Sequence, residues 1–299
     1  MNLKITHQTT YYYQTEVETA QHMAYLQPVS NRYQQLLSHS LLISPLPAQM
    51  TQTLDVFGNP RCFFSLQTPH QVLDVVAHSV VTTVTRSLPA SRISWEQNNE
   101  HFQYQPGGYF DAATEFIFAS PFCQPAPEFT EYAQPSFRPG ASVLAVAQDL
   151  MQRIHTDFVY ESQSTHINTP ALQALAQRTG VCQDFAHIMI VCLRAMGVAA
   201  RYVSGYMLTQ AAPGTVKLIG CDASHAWVSV YAPDLPPGER WCDFDPTNNR
   251  CGWHSPGEDY VTLATGRDFS DISPLRGVIH GGASHTLYVG VTVEPYTIN

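Results

Sequence analysis

Alternating apolar and polar positions dominate the first part of the chain. Leu3, Ile5 and His7 alternate with polar residues, and further short apolar runs are separated by turns such as Phe57-Gly58-Asn59-Pro60. A period of two is typical of half-buried β-strands. Several short strands at this spacing predict an antiparallel β-sandwich-like domain over residues 1–88.

The pattern then changes twice. Residues 89–138 are dense in Pro, Gln, Phe and Tyr, and this predicts a connector that wraps over the surface with one short helix. After Pro139 apolar residues recur at helical spacing, and Gly180 and Gly197 bracket a strongly apolar helix. Strands are predicted after it at 198–206, 226–231, 240–245 and 287–293. Helices followed by antiparallel strands predict an α+β domain over residues 139–299, with the helices packed on one side of a sheet.

Composition limits the possible functions. The 299 residues are 44% hydrophobic and only 13% charged, so the chain can bury a large core and is predicted to be globular. Fifteen Lys and Arg residues against 24 Asp and Glu residues give a net charge of −9. Without a basic cluster, nucleic acid is not an expected partner.

The predicted location is the cytoplasm. The longest apolar stretch, residues 188–200, is interrupted by Arg194 and is shorter than the ~20 residues that span a membrane. The first residues contain no apolar segment of the kind found in secretory signals. The seven cysteines are odd in number and scattered, which favours free thiols over a disulfide framework.

A cysteine at the start of the apolar helix is the first candidate for chemistry. Cys182 lies in Gly180-Val181-Cys182-Gln183-Asp184-Phe185-Ala186-His187, where unpaired backbone N–H groups and the helix dipole favour an anion. A thiol there is a candidate nucleophile. The alternative is a buried small apolar residue, an interpretation that suits Cys192.

A histidine and a carboxylate complete a possible triad. His225 lies at the entrance of a predicted strand, Ser224-His225-Ala226-Trp227, and imidazole can accept a thiol proton near neutral pH. Asp243 and Asp245 share one face of a second strand that Pro246 ends. We favour Asp245 as the carboxylate that orients His225 because the last residue of a strand lies at the rim of its sheet. A structural histidine and a plain Asp-Pro turn are the alternatives.

Taken together, these segments resemble the transglutaminase-like superfamily of papain-type cysteine enzymes. The resemblance rests on G-V-C-x-D-F-A-H, G-V-A-A-R-Y-V-S-G-Y, S-H-A-W-V-x-V-Y and W-x-x-F-D-P-T-N, in that order. The tail at 266–277 and the N-terminal part are similar to the bacterial branch that carries a β-rich N-terminal domain. The resemblance implies a papain-like catalytic domain with Cys182 as nucleophile, His225 as general base and Asp245 as orienting carboxylate. No motif assigns the oxyanion hole, for which we expect the Cys182 backbone N–H and one further donor.

The implied reaction is acyl transfer through a thioester on a peptide or protein that carries an amide. Hydrolysis, as in a peptidase, amidase or deamidase, is slightly favoured over true protein-glutamine cross-linking. No cofactor and no metal are expected. The oligomeric state is left open.

Two other hypotheses compete with a cysteine enzyme. A metal site could draw on Cys221, His225, Cys242 and Cys251, but their spacing matches no paired-cysteine zinc pattern. A non-catalytic peptide-binding module is the other hypothesis, although all three candidate catalytic residues are present.

Overall fold

The computed structural model describes residues 1–104, 106–107, 110–161, 167–209 and 224–297. It is a mixed structure of helices and strands, and it confirms the predicted α+β class.

The N-terminal strands form one curled antiparallel sheet around a long first strand. The strand bounds are β1 Asn2–Ala24, β2 Gln34–Ser44, β3 Gln49–Leu54, β4 Pro60–Leu66 and β5 His70–Thr83. Along one edge, β1 pairs with β5 over its first half and with β4 over its second half, and the resulting order is β2-β5-β1-β4-β3. The predicted antiparallel, β-rich N-terminal part is thus confirmed.

The connector is more structured and more buried than predicted. Its helices are α1 Trp95–His101 and α2 Pro127–Ala133, and short 3-10 turns occupy Ala112–Phe116 and Gln134–Ser136. Phe129 and Ala133 of α2 are buried in the main core. The expectation of a surface segment with one short helix was therefore wrong, because the Pro-rich composition hides the apolar spacing of α2.

Three helices and two very short strands lead to the second sheet. Their bounds are α3 Val143–Asp157, β6 Val159–Tyr160, α4 Ala171–Gln177, β7 Thr179–Gly180 and α5 Cys182–Ala195. The apolar face of α3 is buried as its periodicity predicts. Gly197 follows α5 with φ of +76°, a left-handed conformation that glycine adopts without strain. The predicted end of this helix is confirmed.

The second sheet carries α5 on one face. Its strands are β8 Ala200–Met207, β9 Ser224–Tyr231, β10 Trp241–Asp245, β11 Arg250–Trp253 and β12 Tyr260–Gly266, in the order β11-β10-β9-β8-β12, and all pairs are antiparallel. Ala226, Val228 and Val230 of β9 share a core with α5. The other residues of β9, including His225 and Trp227, consequently face away from the body of the helix.

The last strands return to the first sheet. β13 Leu275–Gly281 and β14 His285–Pro295 pair with the free edge of β1, antiparallel to it. The expectation that 287–293 belong to the second sheet was wrong, because an alternating pattern shows which face is buried and not which strand is the neighbour. Val291 and Val293 share a core with α3 and α5. The predicted domain bounds 1–88, 89–138 and 139–299 stay a prediction.

Candidate active site

Cys182 is the first residue of α5 and is partly buried against the main core. The side chain of Asp184 accepts a hydrogen bond from the backbone N–H of Val181 at 2.8 Å. This bond caps the first turn of the helix and fixes the chain that leads into Cys182. Since the first backbone N–H groups of a helix have no partner within it, the sulfur lies where negative charge is stabilised.

His225 lies near the start of β9 with its ring held between aromatic residues. Its ring centroid is 6.0 Å from that of Trp227 and 5.8 Å from that of Tyr260. Only 8% of the residue is exposed. The imidazole is thus packed against both rings and largely shielded from solvent.

Asp245 ends β10 and is completely buried. Its Oδ2 atom lies 2.7 Å from His225 Nε2 and also accepts hydrogen bonds from Tyr260 Oη and Asn248 Nδ2, each at 2.7 Å. Its Oδ1 atom accepts the backbone N–H groups of Thr247 at 2.9 Å and Asn248 at 3.3 Å. A buried carboxylate with this many donors is held as the anion.

The thiol of Cys182 is on the other side of the same imidazole. The side chain of Cys182 lies close enough to His225 to raise the pKa of the imidazole. Since His225 Nε2 faces Asp245, and Asn248 Nδ2 lies 3.3 Å from the same nitrogen, Nδ1 is the ring atom left for the sulfur. The structure therefore brings together the three side chains that the sequence selected, in the order sulfur, ring, carboxylate. Their catalytic roles stay predictions.

The charges within this group support one another. Burial lowers the pKa of His225, but the charge and hydrogen bond of Asp245, together with Cys182, outweigh burial and raise it to about 10. Burial raises the pKa of Asp245, but the charge of His225 and the surrounding donors outweigh it, and the net pKa is lowered. At neutral pH the pair is thus imidazolium and carboxylate. An imidazolium beside a sulfur stabilises a thiolate.

The carboxylate of Asp243 is hydrogen-bonded to side chains other than His225. Its oxygens accept hydrogen bonds from Trp227 Nε1 at 2.8 Å and Ser229 Oγ at 2.6 Å, and neither bond involves His225. Burial raises its pKa. Asp243 therefore supports the tryptophan beneath His225 rather than the imidazole itself.

Tyr260 and Asn248 were not assigned a role by sequence reasoning. Asn248 closes the W-x-x-F-D-P-T-N motif, so its position two residues beyond Pro246 is a signal that could have found it. Tyr260 has no such signal, because it reaches Asp245 only through the placement of β12 at the edge of the second sheet.

The described residues of the alternative metal site do not lie on one face of the sheet. Cys242 pairs with Val230, and Cys251 pairs with Phe244, so both cysteines lie on the face of the sheet opposite His225. Cys221 lies outside the described residues. Within the described ranges, no group of three or more His, Cys, Asp and Glu side chains could hold a metal ion.

None of the helices in the described part of the chain has the length and apolar character needed to cross a membrane.

Comparison with known proteins identifies two matched regions and a relative that covers nearly the whole chain. Residues 3–82 match the model of the bacterial transglutaminase-like N-terminal region, and residues 130–246 match that of the transglutaminase-like superfamily. An uncharacterized protein of Mycobacterium tuberculosis is 38% identical over 300 residues, covering 98% of this chain and 92% of its own length.

Two further proteins extend the comparison. The crystal structure of a candidate cysteine protease from Cytophaga hutchinsonii matches with a TM-score of 0.72 at 21% identity, covering 100% of this chain and 92% of its own, and thus shares the fold. A protein-glutamine gamma-glutamyltransferase of Pseudomonas aeruginosa is 31% identical over 121 residues, covering 39% of this chain and 17% of that protein. The fold, both matched regions and the full-length relative together show that the chain belongs to the transglutaminase-like superfamily, in the branch with a bacterial transglutaminase-like N-terminal region.

Proposed function

We propose that the protein is a cysteine-dependent acyltransferase or hydrolase that acts on an amide of a peptide or protein. The observation that supports this most directly is the 2.7 Å contact between His225 Nε2 and Asp245 Oδ2, with Cys182 on the opposite side of the ring. In this arrangement His225 would act as the base that exchanges a proton with the reacting groups, and the carboxylate of Asp245 would orient His225.

The proposed reaction has two halves. The Cys182 thiolate attacks the amide carbon, the carbon–nitrogen bond breaks, and the His225 imidazolium gives its proton to the departing ammonia or amine. Water or a second amine then attacks the thioester while His225 accepts its proton, and the Cys182 sulfur leaves. The backbone N–H of Cys182 is one proposed donor to the oxyanion. Every proton is carried by a side chain already in the site, so the proposal requires no metal or organic cofactor.

Water is the proposed acceptor, and a protein amine is the second candidate. Water is present at about 55 M, so an amine competes only where the site binds it and excludes solvent. One observation favours the amine: the similarity over 121 residues to the Pseudomonas aeruginosa protein-glutamine gamma-glutamyltransferase. Membranes and nucleic acid are not proposed partners, and a cytoplasmic location stays a prediction.

Product analysis tests the acceptor. The protein is incubated with a glutamine-containing peptide, with and without a primary amine, and the masses of the products are measured by mass spectrometry. We expect the carboxylic acid in both cases; an amine-coupled product in place of the acid would instead identify a cross-linking enzyme. The Cys182→Ala variant should lose at least about a thousandfold in turnover. The matched control is Cys251→Ala, because Cys251 is also partly buried but lies on β11.

Thiol labelling tests the non-catalytic alternative. A cysteine paired with an imidazolium should react with iodoacetamide within minutes at pH 6 to 7. Cys251 should react slowly, since burial raises its pKa. Equal rates at Cys182 and Cys251, together with full turnover by Cys182→Ala, would contradict a catalytic role for Cys182.

A further inference from the structure

A cavity lies at the far end of the two strands that carry His225 and Asp245. Its volume is about 830 Å³, within the range of small-molecule sites. Tyr231 at the end of β9 and Trp241 at the start of β10 line it, whereas His225 and Asp245 occupy the opposite ends of the same strands. Tyr231 is six residues after His225 along β9, a distance of about 20 Å at ~3.3 Å per residue. The cavity is therefore distinct from the proposed active site.

Aromatic rings form much of the cavity wall. Phe116 is central among them, with its ring centroid 5.5 Å from that of Phe57 and 5.3 Å from that of Trp241. The ring of Tyr231 lies 5.0 Å from that of Trp241. These residues come from the turn between β3 and β4, the connector and the second sheet, so an apolar ligand would be enclosed by three parts of the chain.

Most charged groups of the wall are paired with one another. Arg267 donates two hydrogen bonds of 2.9 Å to the carboxylate of Asp271. Asp111 accepts a hydrogen bond of 2.6 Å from Tyr231 Oη and lies 3.6 Å from Arg240. These groups give the cavity polar walls, but their charges are already matched.

Arg201 differs from these paired groups. Its Nε atom is buried and has no hydrogen-bond partner in the part of the chain that the structure describes. Its guanidinium carbon lies 4.1 Å from the centre of the Trp241 ring. The nearby carboxylate of Asp243 already accepts bonds from Trp227 and Ser229.

The guanidinium is nevertheless a cation at neutral pH. Burial lowers the pKa of Arg201 to about 10, with Asp243 acting in the opposite direction. The residue as a whole is only partly buried, so its guanidinium can reach the cavity that it lines, where a cation is a suitable partner for an anionic ligand.

We propose that this cavity binds a small organic carboxylate with an aromatic or apolar body. The carboxylate would accept hydrogen bonds from the terminal nitrogens of Arg201, a paired geometry that guanidinium and carboxylate share. The body would lie against Phe116, Tyr231 and Trp241. A phosphate fits less well, because its second negative charge would face Glu115 in a wall where Arg240 and Arg267 are already paired with carboxylates.

Isothermal titration calorimetry with phenylacetate tests the proposal, and phenylacetamide is the neutral control with the same shape. We expect saturable binding of phenylacetate and affinity for the amide lower by about tenfold or more, since one charge-assisted pair of bonds is lost. Arg201→Met should weaken phenylacetate binding by a similar factor. Arg138→Met, at an exposed arginine that does not line this cavity, should leave it unchanged. Absence of saturable binding, or equal affinity for the acid and the amide, would overturn the proposal.

Two further experiments separate the proposal from any folding defect of the Arg201 variant and from the proposed function. Glu115→Gln removes an exposed carboxylate from the wall and should tighten phenylacetate binding several-fold; an unchanged affinity would count against the cavity. Alkylation of Cys182 with iodoacetamide should leave phenylacetate binding intact even if it abolishes turnover. If alkylation abolished binding instead, phenylacetate would occupy the triad cleft and the proposal would be wrong.

Discussion

At the scale of single residues, the carboxylate of Asp245 is the best-anchored group of the candidate site. Its hydrogen-bond partners come from β9, from the turn after β10 and from β12. The Cys182, His225 and Asp245 positions could be chosen from sequence because each lies in a local motif. The hydrogen bond from Tyr260 to Asp245 could not be predicted from sequence, because it joins β12 and β10, two strands that are not neighbours in the sheet.

Asp245 and Asp243 should differ sharply on substitution. Asp245→Asn keeps the size of the side chain but removes the negative charge beside His225, and turnover should fall by about a thousandfold or more. Asp243→Asn should cost far less, because Asp243 contacts Trp227 and Ser229 rather than the imidazole. Steady-state kinetics on both variants would check this. A larger loss in Asp243→Asn would mean that the orienting carboxylate has been misassigned.

Tyr260 is expected to act as a positioning residue. Tyr260→Phe removes one donor to the Asp245 carboxylate, which should raise the pKa of Asp245 and lower kcat/KM by about tenfold. The acid limb of the pH profile should move to higher pH, a change that general loss of stability would not produce. Tyr132→Phe is the matched control, since Tyr132 Oη donates to Asp157 at 2.9 Å in another part of the molecule. Identical profiles for both variants would contradict the proposed role.

At the scale of elements, local pattern predicted the helices better than the partners of the strands. The stripe on α3 and the glycine that ends α5 are local features, and both were recognised. β14 was predicted as a strand, but its partner is almost the whole chain away in sequence. Pairing of this kind is decided by the shared core, which a pattern within one strand does not describe.

Gly197 offers a test of the link between α5 and the connector. A Cβ added there would lie 2.4 Å from atoms of the Asn99 side chain, and φ is +76°. Gly197→Ala should therefore lower the free energy of unfolding by about 2–4 kcal/mol, the sum of backbone strain and displaced packing. Gly238→Ala has a similar φ of +80° but no neighbour within 4 Å in the part of the chain that the structure describes, so it should cost only about 1 kcal/mol. Urea unfolding would compare them, and equal losses would exclude a packing effect at Gly197.

At the scale of the whole molecule, buried histidines make stability depend on pH. Neither of the buried ring nitrogens of His22 has a hydrogen-bond partner among the described residues, and the ring stacks on Phe64 with 5.1 Å between the ring centroids. Burial, followed by the charge of His70, lowers the pKa of His22 from 6.5 to about 4. Burial also lowers the pKa of His7 and His187 to about 4.

Acid should therefore destabilise the protein before its carboxylates titrate. Between pH 6.5 and 4 the unfolded chain binds a proton at His22 that the folded protein does not, so the free energy of unfolding falls as the pH falls, by up to about 1.4 kcal/mol per pH unit for each such group. His22→Phe should reduce this slope, whereas His285→Phe, at an exposed histidine, should not. Chemical denaturation at several pH values would measure the slopes. An unchanged slope in His22→Phe would show that this ring is protonated in the folded protein.

The return of β14 to β1 brings distant ends of the backbone side by side. The backbone N–H of Tyr296 donates to the carbonyl of Asn2 at 2.9 Å, and Met1 is hydrogen-bonded to Thr83 at the end of β5. A short peptide linker could therefore join residues 1 and 297 without disturbing either sheet. The backbone could then be opened at an exposed turn such as the one at Gly238. Such a circular permutant would keep every strand pair while changing the order in which the two sheets leave the ribosome.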